Sequence, residues 1–153
     1  MEKFLRYVLG GLSFLPDKMN TPESRAMLIA IGTQESAFAH RFQLGGPARG
    51  FWQFEKGGGI KGVLTHSTTK NYIMGVCEAL RVPATDDDCY QAVAYNDYLA
   101  CCFARLLLYT LPAKLPLKGE SQKGWEQYLS AWRPGKPRPE TWSANFNVAW
   151  LYE

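Results

Sequence analysis

Asn20–Phe54 reads NTPESRAMLIAIGTQESAFAHRFQLGGPARGFWQF, and its two halves have different periodicities. The first half predicts a helix. Thr21 is a capping residue, Pro22 suits the first helical position and Glu23 suits the positive end of the helix dipole. Leu28, Ile31, Glu35 and Phe38 then fall on one side of that helix, with Met27 beside them. Glu35 is thus placed among apolar neighbours, where removing its charge from water is costly and the usual response is a raised pKa. A carboxyl kept protonated near neutral pH can act as a general acid. On spacing alone the alternative stays open: a boundary glutamate whose carboxylate reaches solvent or pairs with Arg25, Arg41 or Arg49.

In the second half helical periodicity stops at Gln43, and seven glycines and one proline lie between Gly45 and Gly62. That composition predicts loop and short strand, with Phe51–Phe54 as the strand and the flanking glycines letting its backbone approach another surface closely. Extended to Glu55, the strand would place Glu55 on one face with Gln53 and Phe51.

Outward from this stretch the chain reads as helices. Met1–Pro16 is a short helix rather than a secretion signal, because Arg6 and Gly10-Gly11 interrupt its apolar run and no cleavage pattern follows. Ile73, Val76, Cys77 and Leu80 mark a helix over residues 67–81, closed by Pro83. Asp86, Asp87 and Asp88 offer caps for a long apolar segment from Cys89 to Thr110, dense enough to be a central buried helix and broken near Asn96-Asp97. Trp125, Tyr128, Leu129 and Trp132 repeat at helical spacing until Arg133-Pro134-Gly135, and Pro139-Glu140 opens a last helix. The expected architecture is mainly α: one domain over residues 1–153, a helical bundle around a central helix with a small loop or β lobe.

Composition bounds the function classes. At 153 residues, 46% hydrophobic and 20% charged, the chain can bury a core without staples. A net charge of +3 argues against a dedicated nucleic-acid binder. Six basic residues against two acidic ones between Leu111 and Pro139 suggest a rim for an anionic polymer or a membrane surface, or else a solvated face. No stretch is long enough to span a membrane. Cys77, Cys89, Cys101 and Cys102 form no CxxC pair, His40 and His66 join no ligand pattern, and no phosphate loop occurs, so neither a metal nor a cofactor is expected. Reduced thiols are expected, buried ones at Cys101 and Cys102.

Gln34-Glu35-Ser36-Ala37-Phe38, followed by Gly46-Pro47-Ala48-Arg49-Gly50-Phe51-Trp52-Gln53-Phe54, resembles the lysozyme-like lytic transglycosylases, the superfamily that includes goose-type lysozymes. In that family a helix ending in Glu-Ser-x-Phe precedes a Gly-Ala-x-Gly-Leu-Met-Gln type of segment. The resemblance is tight over Ile29–Phe54. Tyr95-Asn96-Asp97-Tyr98-Leu99 looks like the family's later Asn-bearing helix, and Tyr128–Pro137 takes the place of its Ala-Tyr-Asn-x-Gly-Pro segment, with Trp132-Arg133 where Tyr-Asn is usual. The pattern is similar to phage-encoded members.

This resemblance implies an α+β lysozyme-like catalytic domain, acting as a monomer on peptidoglycan glycan strands at the bacterial wall or periplasm, alongside other virion or lysis proteins. Glu35 would protonate the glycosidic oxygen and then act as base, so that the muramoyl C6 hydroxyl closes a 1,6-anhydro ring. Ser36, Gln53 and Asn96 would bind substrate, and Trp52, Phe54 and Trp132 would offer sugar platforms. Arg133 would meet anionic peptide stems or Glu35 itself. A hydrolase needs a second carboxylate, and Glu55 is the nearby candidate, so a muramidase stands as an alternative. A catalytically silent virion or wall-binding module is the other.

Overall fold

The computed structural model describes all 153 residues. Eight helices account for the chain: α1 (Glu2–Leu12), α2 (Pro22–Ser36), α3 (Lys61–Thr65), α4 (Lys70–Leu80), α5 (Asp86–Ala92), α6 (Asp97–Tyr109), α7 (Ser121–Trp132) and α8 (Pro139–Ala149). A 3-10 turn at Asp17–Met19 precedes α2, and a π-type turn at Lys56–Ile60 precedes α3. The fold is mainly α, as the periodicity predicts.

The starts of these helices follow from their caps. Thr21 and Ser24 form a reciprocal capping box at α2, with the Ser24 amide 3.1 Å from Thr21 Oγ1 and the Thr21 amide 2.9 Å from Ser24 Oγ. Asn96 Oδ1 accepts from the Leu99 amide at 3.0 Å, which ends the turn after α5 and begins α6. At α5 the cap is Thr85, and the three aspartates occupy the first turn instead of capping it.

Helix α6 is the centre: every residue from Leu99 to Leu108 is buried, and α1, α2, α3, α4 and α7 all pack on it. One apolar cluster of 33 buried residues runs from Val8 in α1 to Ala149 in α8. Helix α2 is more deeply embedded than its predicted one-sided stripe. Ala26 to Ile31 are all fully buried, because α8, α1 and α6 enclose it from different sides.

Beyond α2 the backbone doubles back through two left-handed residues, Ala37 (φ 51°) and Phe38 (φ 50°). The Phe38 ring then lies over Gly32, where an added Cβ would meet its Cζ at 2.2 Å. Phe38 cannot swing aside, since it stacks on Phe4 (4.4 Å between centroids) and stands edge-on to Trp52 (5.5 Å). Gly32→Ala should therefore cost about 2 kcal/mol, read as a lowered urea midpoint at unchanged m-value.

The expected strand at Phe51–Glu55 does not form. The small lobe contains isolated bridges, Phe42 with Arg49 and Arg49 with Phe54, in place of a strand ladder. Gln53 is left-handed (φ 53°), so the alternation that would put Phe51, Gln53 and Glu55 on one face is broken. Phe51 turns into the core against Phe4 and Phe38, while Gln53 and Glu55 face a cleft. Two contacts pin the lobe to the bundle. Arg41 makes a bidentate pair with Asp97 (2.7 and 3.0 Å), and Gly50 (φ 77°) lies so close to Val93 that a Cβ there would meet its carbonyl oxygen at 2.5 Å.

No helix is long and apolar enough to cross a membrane. The four cysteines are buried free thiols.

Candidate active site

Glu35 is the penultimate residue of α2, half-buried, at the end of the helix where partial negative charge disfavours a carboxylate. Its partner comes from 93 residues away: the Tyr128 hydroxyl donates to Glu35 Oε1 at 2.5 Å. None of the arginines weighed as partners reaches it. Arg25 pairs with Glu153 (3.1 Å), Arg41 with Asp97, and Arg49 donates to the carbonyls of Gly46 and Ala48.

Burial raises the Glu35 pKa above the ordinary carboxylate range, while the Tyr128 hydrogen bond and the nearby Arg138 charge pull it partly back. Burial likewise pushes the Tyr128 hydroxyl up, and the Glu35 charge adds to that. Tyr128 is therefore the donor of the pair, and Glu35 is the group whose protonation changes toward lower pH. Tyr128 is held rigidly: it is 3% exposed, stacks on Trp142 at 5.2 Å with planes 5° apart, and touches Trp125 and Trp132.

Both residues open into a cleft of about 740 Å³ between the small lobe and the start of α8. Gln53, Phe54 and Glu55 line it from the lobe, and Trp132 and Arg133 line it from the end of α7. Trp132 is fixed by its Nε1, which donates to the Trp52 carbonyl at 2.8 Å, and its ring lies 5.9 Å from that of Phe54, which is itself buried against Phe103 and so backs the cleft wall instead of offering the expected sugar platform. Arg133 is exposed in the left-handed C-cap position of α7 (φ 50°). Beside it Lys136 and Arg138 also line the cleft, so three cations face two carboxylates, Glu35 and Glu55.

Three residues expected at the site are elsewhere. Ser36 is buried, and its hydroxyl is spent on the backbone, donating to the Phe51 carbonyl at 2.7 Å and accepting from the Phe38 amide at 3.1 Å. These bonds shape the loop, and the side chain does not line the cleft. Trp52 is fully buried, with Nε1 donating to the Leu28 carbonyl at 2.9 Å, so it is a core residue and not a sugar platform. Asn96 caps α6 and lines a different surface depression with Tyr7 and Tyr98.

Tyr128 is the site residue that the sequence alone did not single out, where it is only one of the aromatics at helical spacing with Trp125 and Trp132. The signal available was chemical: a tyrosine on an apolar stripe brings a hydroxyl that must find a partner. Gln34, to which the sequence assigned no role, is a second such residue. It is 2% exposed, and its Nε2 donates to the Arg138 carbonyl (2.9 Å) while its Oε1 accepts from Thr141 (3.0 Å) and Asn145 (2.8 Å). Arg138 in turn donates to the Gln34 carbonyl. This clamp fastens the head of α8 to the tail of α2 and sets the distance between the Arg138 charge and Glu35.

The arrangement presents one carboxyl with a raised pKa, oriented by a tyrosine, in a cleft lined by Trp132 and by the basic residues Arg133, Lys136 and Arg138. It can deliver a proton to a bound oxygen and take one back. No family model, curated protein or solved structure matches the chain.

Proposed function

We propose that this chain is a peptidoglycan lytic transglycosylase, phage-encoded and used in wall penetration or host lysis. The observation that carries the reading is the Glu35–Tyr128 pair, a desolvated acid oriented by a buried donor and facing a cleft large enough for sugar rings. Glycan cleavage needs a proton on the glycosidic oxygen as an oxocarbenium-like centre develops. Glu35, protonated, supplies that proton and becomes a carboxylate. It then removes the proton from the muramoyl C6 hydroxyl, whose oxygen attacks the anomeric carbon to close the 1,6-anhydro ring. Glu35 ends the cycle protonated. Tyr128 orients the carboxyl in both states and stabilises the charged one. Trp132 forms the wall that receives the sugar face, and Arg133 and Lys136 face the acidic peptide stems.

Glu55, exposed in the same cleft, favours one second reading. A carboxylate there could activate water, which would make the enzyme a muramidase. Mass spectrometry of fragments released from purified peptidoglycan separates the two. Anhydro-muramoyl ends are the expected result, and ends carrying an added water would replace the transglycosylase reading with hydrolysis. Sedimentation of the protein with walls without any released fragment would refute both and leave a wall-binding module.

A further inference from the structure

A second cleft, of about 490 Å³, lies on the molecule between α4, the end of α6 and the segment that follows α6. Arg105 forms part of its lining although the residue is 6% exposed. Its Nε donates to the Met19 carbonyl at 2.9 Å. Its two terminal amino groups make no hydrogen bond within the chain and neither is fully buried, and the guanidinium carbon lies 5.7 Å from the Tyr109 ring centroid. No carboxylate lines this cleft, and Arg105 takes part in no ion pair. Arg25 and Arg41 are each matched by an acid and the half-buried Arg49 donates to two backbone carbonyls, whereas the terminal amino groups of Arg105 meet no acceptor in the chain. A mostly buried guanidinium whose terminal donors meet no acceptor in the chain offers that fork to an anion entering the cleft.

The surroundings add charge of the same sign. Lys18 Nζ lies 5.9 Å from the Tyr72 ring and 6.0 Å from the Tyr109 ring, both of which line the cleft, and Lys114 lines it as well. Neither lysine has an ion-pair partner. One carboxylate would satisfy Arg105 and leave the two lysines unmatched, whereas a phosphate group brings up to two charges and three acceptor oxygens. The space is much larger than that anion, and Leu108, Leu111 and Leu115 supply an apolar wall for whatever is attached to it.

We infer that this cleft binds a phosphate ester, its phosphate on Arg105 between Lys18 and Lys114 and its apolar or ring-shaped portion against Tyr72, Tyr109 and the leucines. The ester could be a free small molecule or the headgroup of a lipid, and the chemistry recognised is the same. The site is separate from the Glu35 cleft, so it stands whatever that cleft does.

The test is a nuclear magnetic resonance titration of the intact protein, following the Arg105 Nε–Hε signal. Phenyl phosphate should shift it saturably. Arg105→Gln should weaken binding at least about tenfold, followed through the Tyr109 ring signals. If that variant fails to fold, Lys18→Ala, at a fully solvated position, should still weaken binding severalfold. Vesicles of phosphatidylglycerol in phosphatidylcholine form the second arm. Vesicle binding that phenyl phosphate competes away assigns the lipid source, and phenyl phosphate binding with no vesicle binding assigns the soluble one. Absence of any saturable shift with phenyl phosphate, an equal shift with benzoate, or vesicle binding unaffected by both substitutions would overturn the inference.

Discussion

Glu35→Gln should lose about three orders of magnitude or more in peptidoglycan turnover while melting at the same temperature as the wild type or slightly above it. The activity loss follows from the chemistry, since glutamine keeps the shape and accepts the Tyr128 hydrogen bond but has no proton to give at neutral pH. The stability follows from linkage. Burial raises the Glu35 pKa in the folded state. The folded protein therefore binds more protons than the unfolded chain in the window between the unfolded and folded pKa values, and stability falls as pH rises through it. Above that window the ionised, desolvated carboxylate is a net cost, and glutamine removes it. A structural glutamate would behave in the opposite way, losing stability on substitution and leaving turnover intact.

Tyr128→Phe should lower turnover roughly tenfold to a hundredfold and move the alkaline limb of the pH–rate profile upward. The ring would keep its stack on Trp142, so the fold is retained, and what disappears is the donor that holds the carboxyl in one orientation. The sign of the pH shift is fixed by the same hydrogen bond. It favours the charged carboxylate and so lowers the Glu35 pKa against the effect of burial. Without it the acid stays protonated to higher pH. A drop in rate with an unmoved alkaline limb would mean that Tyr128 acts only through packing. A downward shift would contradict the assignment of Tyr128 as donor.

The helices were legible because their signals are local. Thr21-Pro22-Glu23 marks the start of α2, Asn96 marks the break before α6, and Pro139 opens α8, each through bonds made within a few residues. The half-burial of Glu35 was legible for a related reason, since an acid on an apolar helical stripe is a local contradiction. The partner of Glu35 was not. The Tyr128 hydroxyl that meets it comes from 93 residues away, and no periodicity encodes which aromatic of a stripe will turn a polar atom toward a distant carboxyl. The loop was misjudged for a different reason. Phe51-Trp52-Gln53-Phe54 has strand-forming residues, but the left-handed backbone at Gln53 and the close approach of Gly50 to Val93 turn the segment before a ladder can form. That turn sends Trp52 inward to the Leu28 carbonyl and commits Ser36 to the Phe51 carbonyl, so two residues with good chemical credentials serve the scaffold.

Glu35 as the proton donor in glycan cleavage is tested most directly by measuring soluble fragments released from purified peptidoglycan by the wild-type and Glu35→Gln proteins, prepared in parallel and matched in melting temperature. Release by the wild type, diminishing as pH rises, and none above background by the variant is the predicted result. Equal release by both, or release by neither, would contradict it.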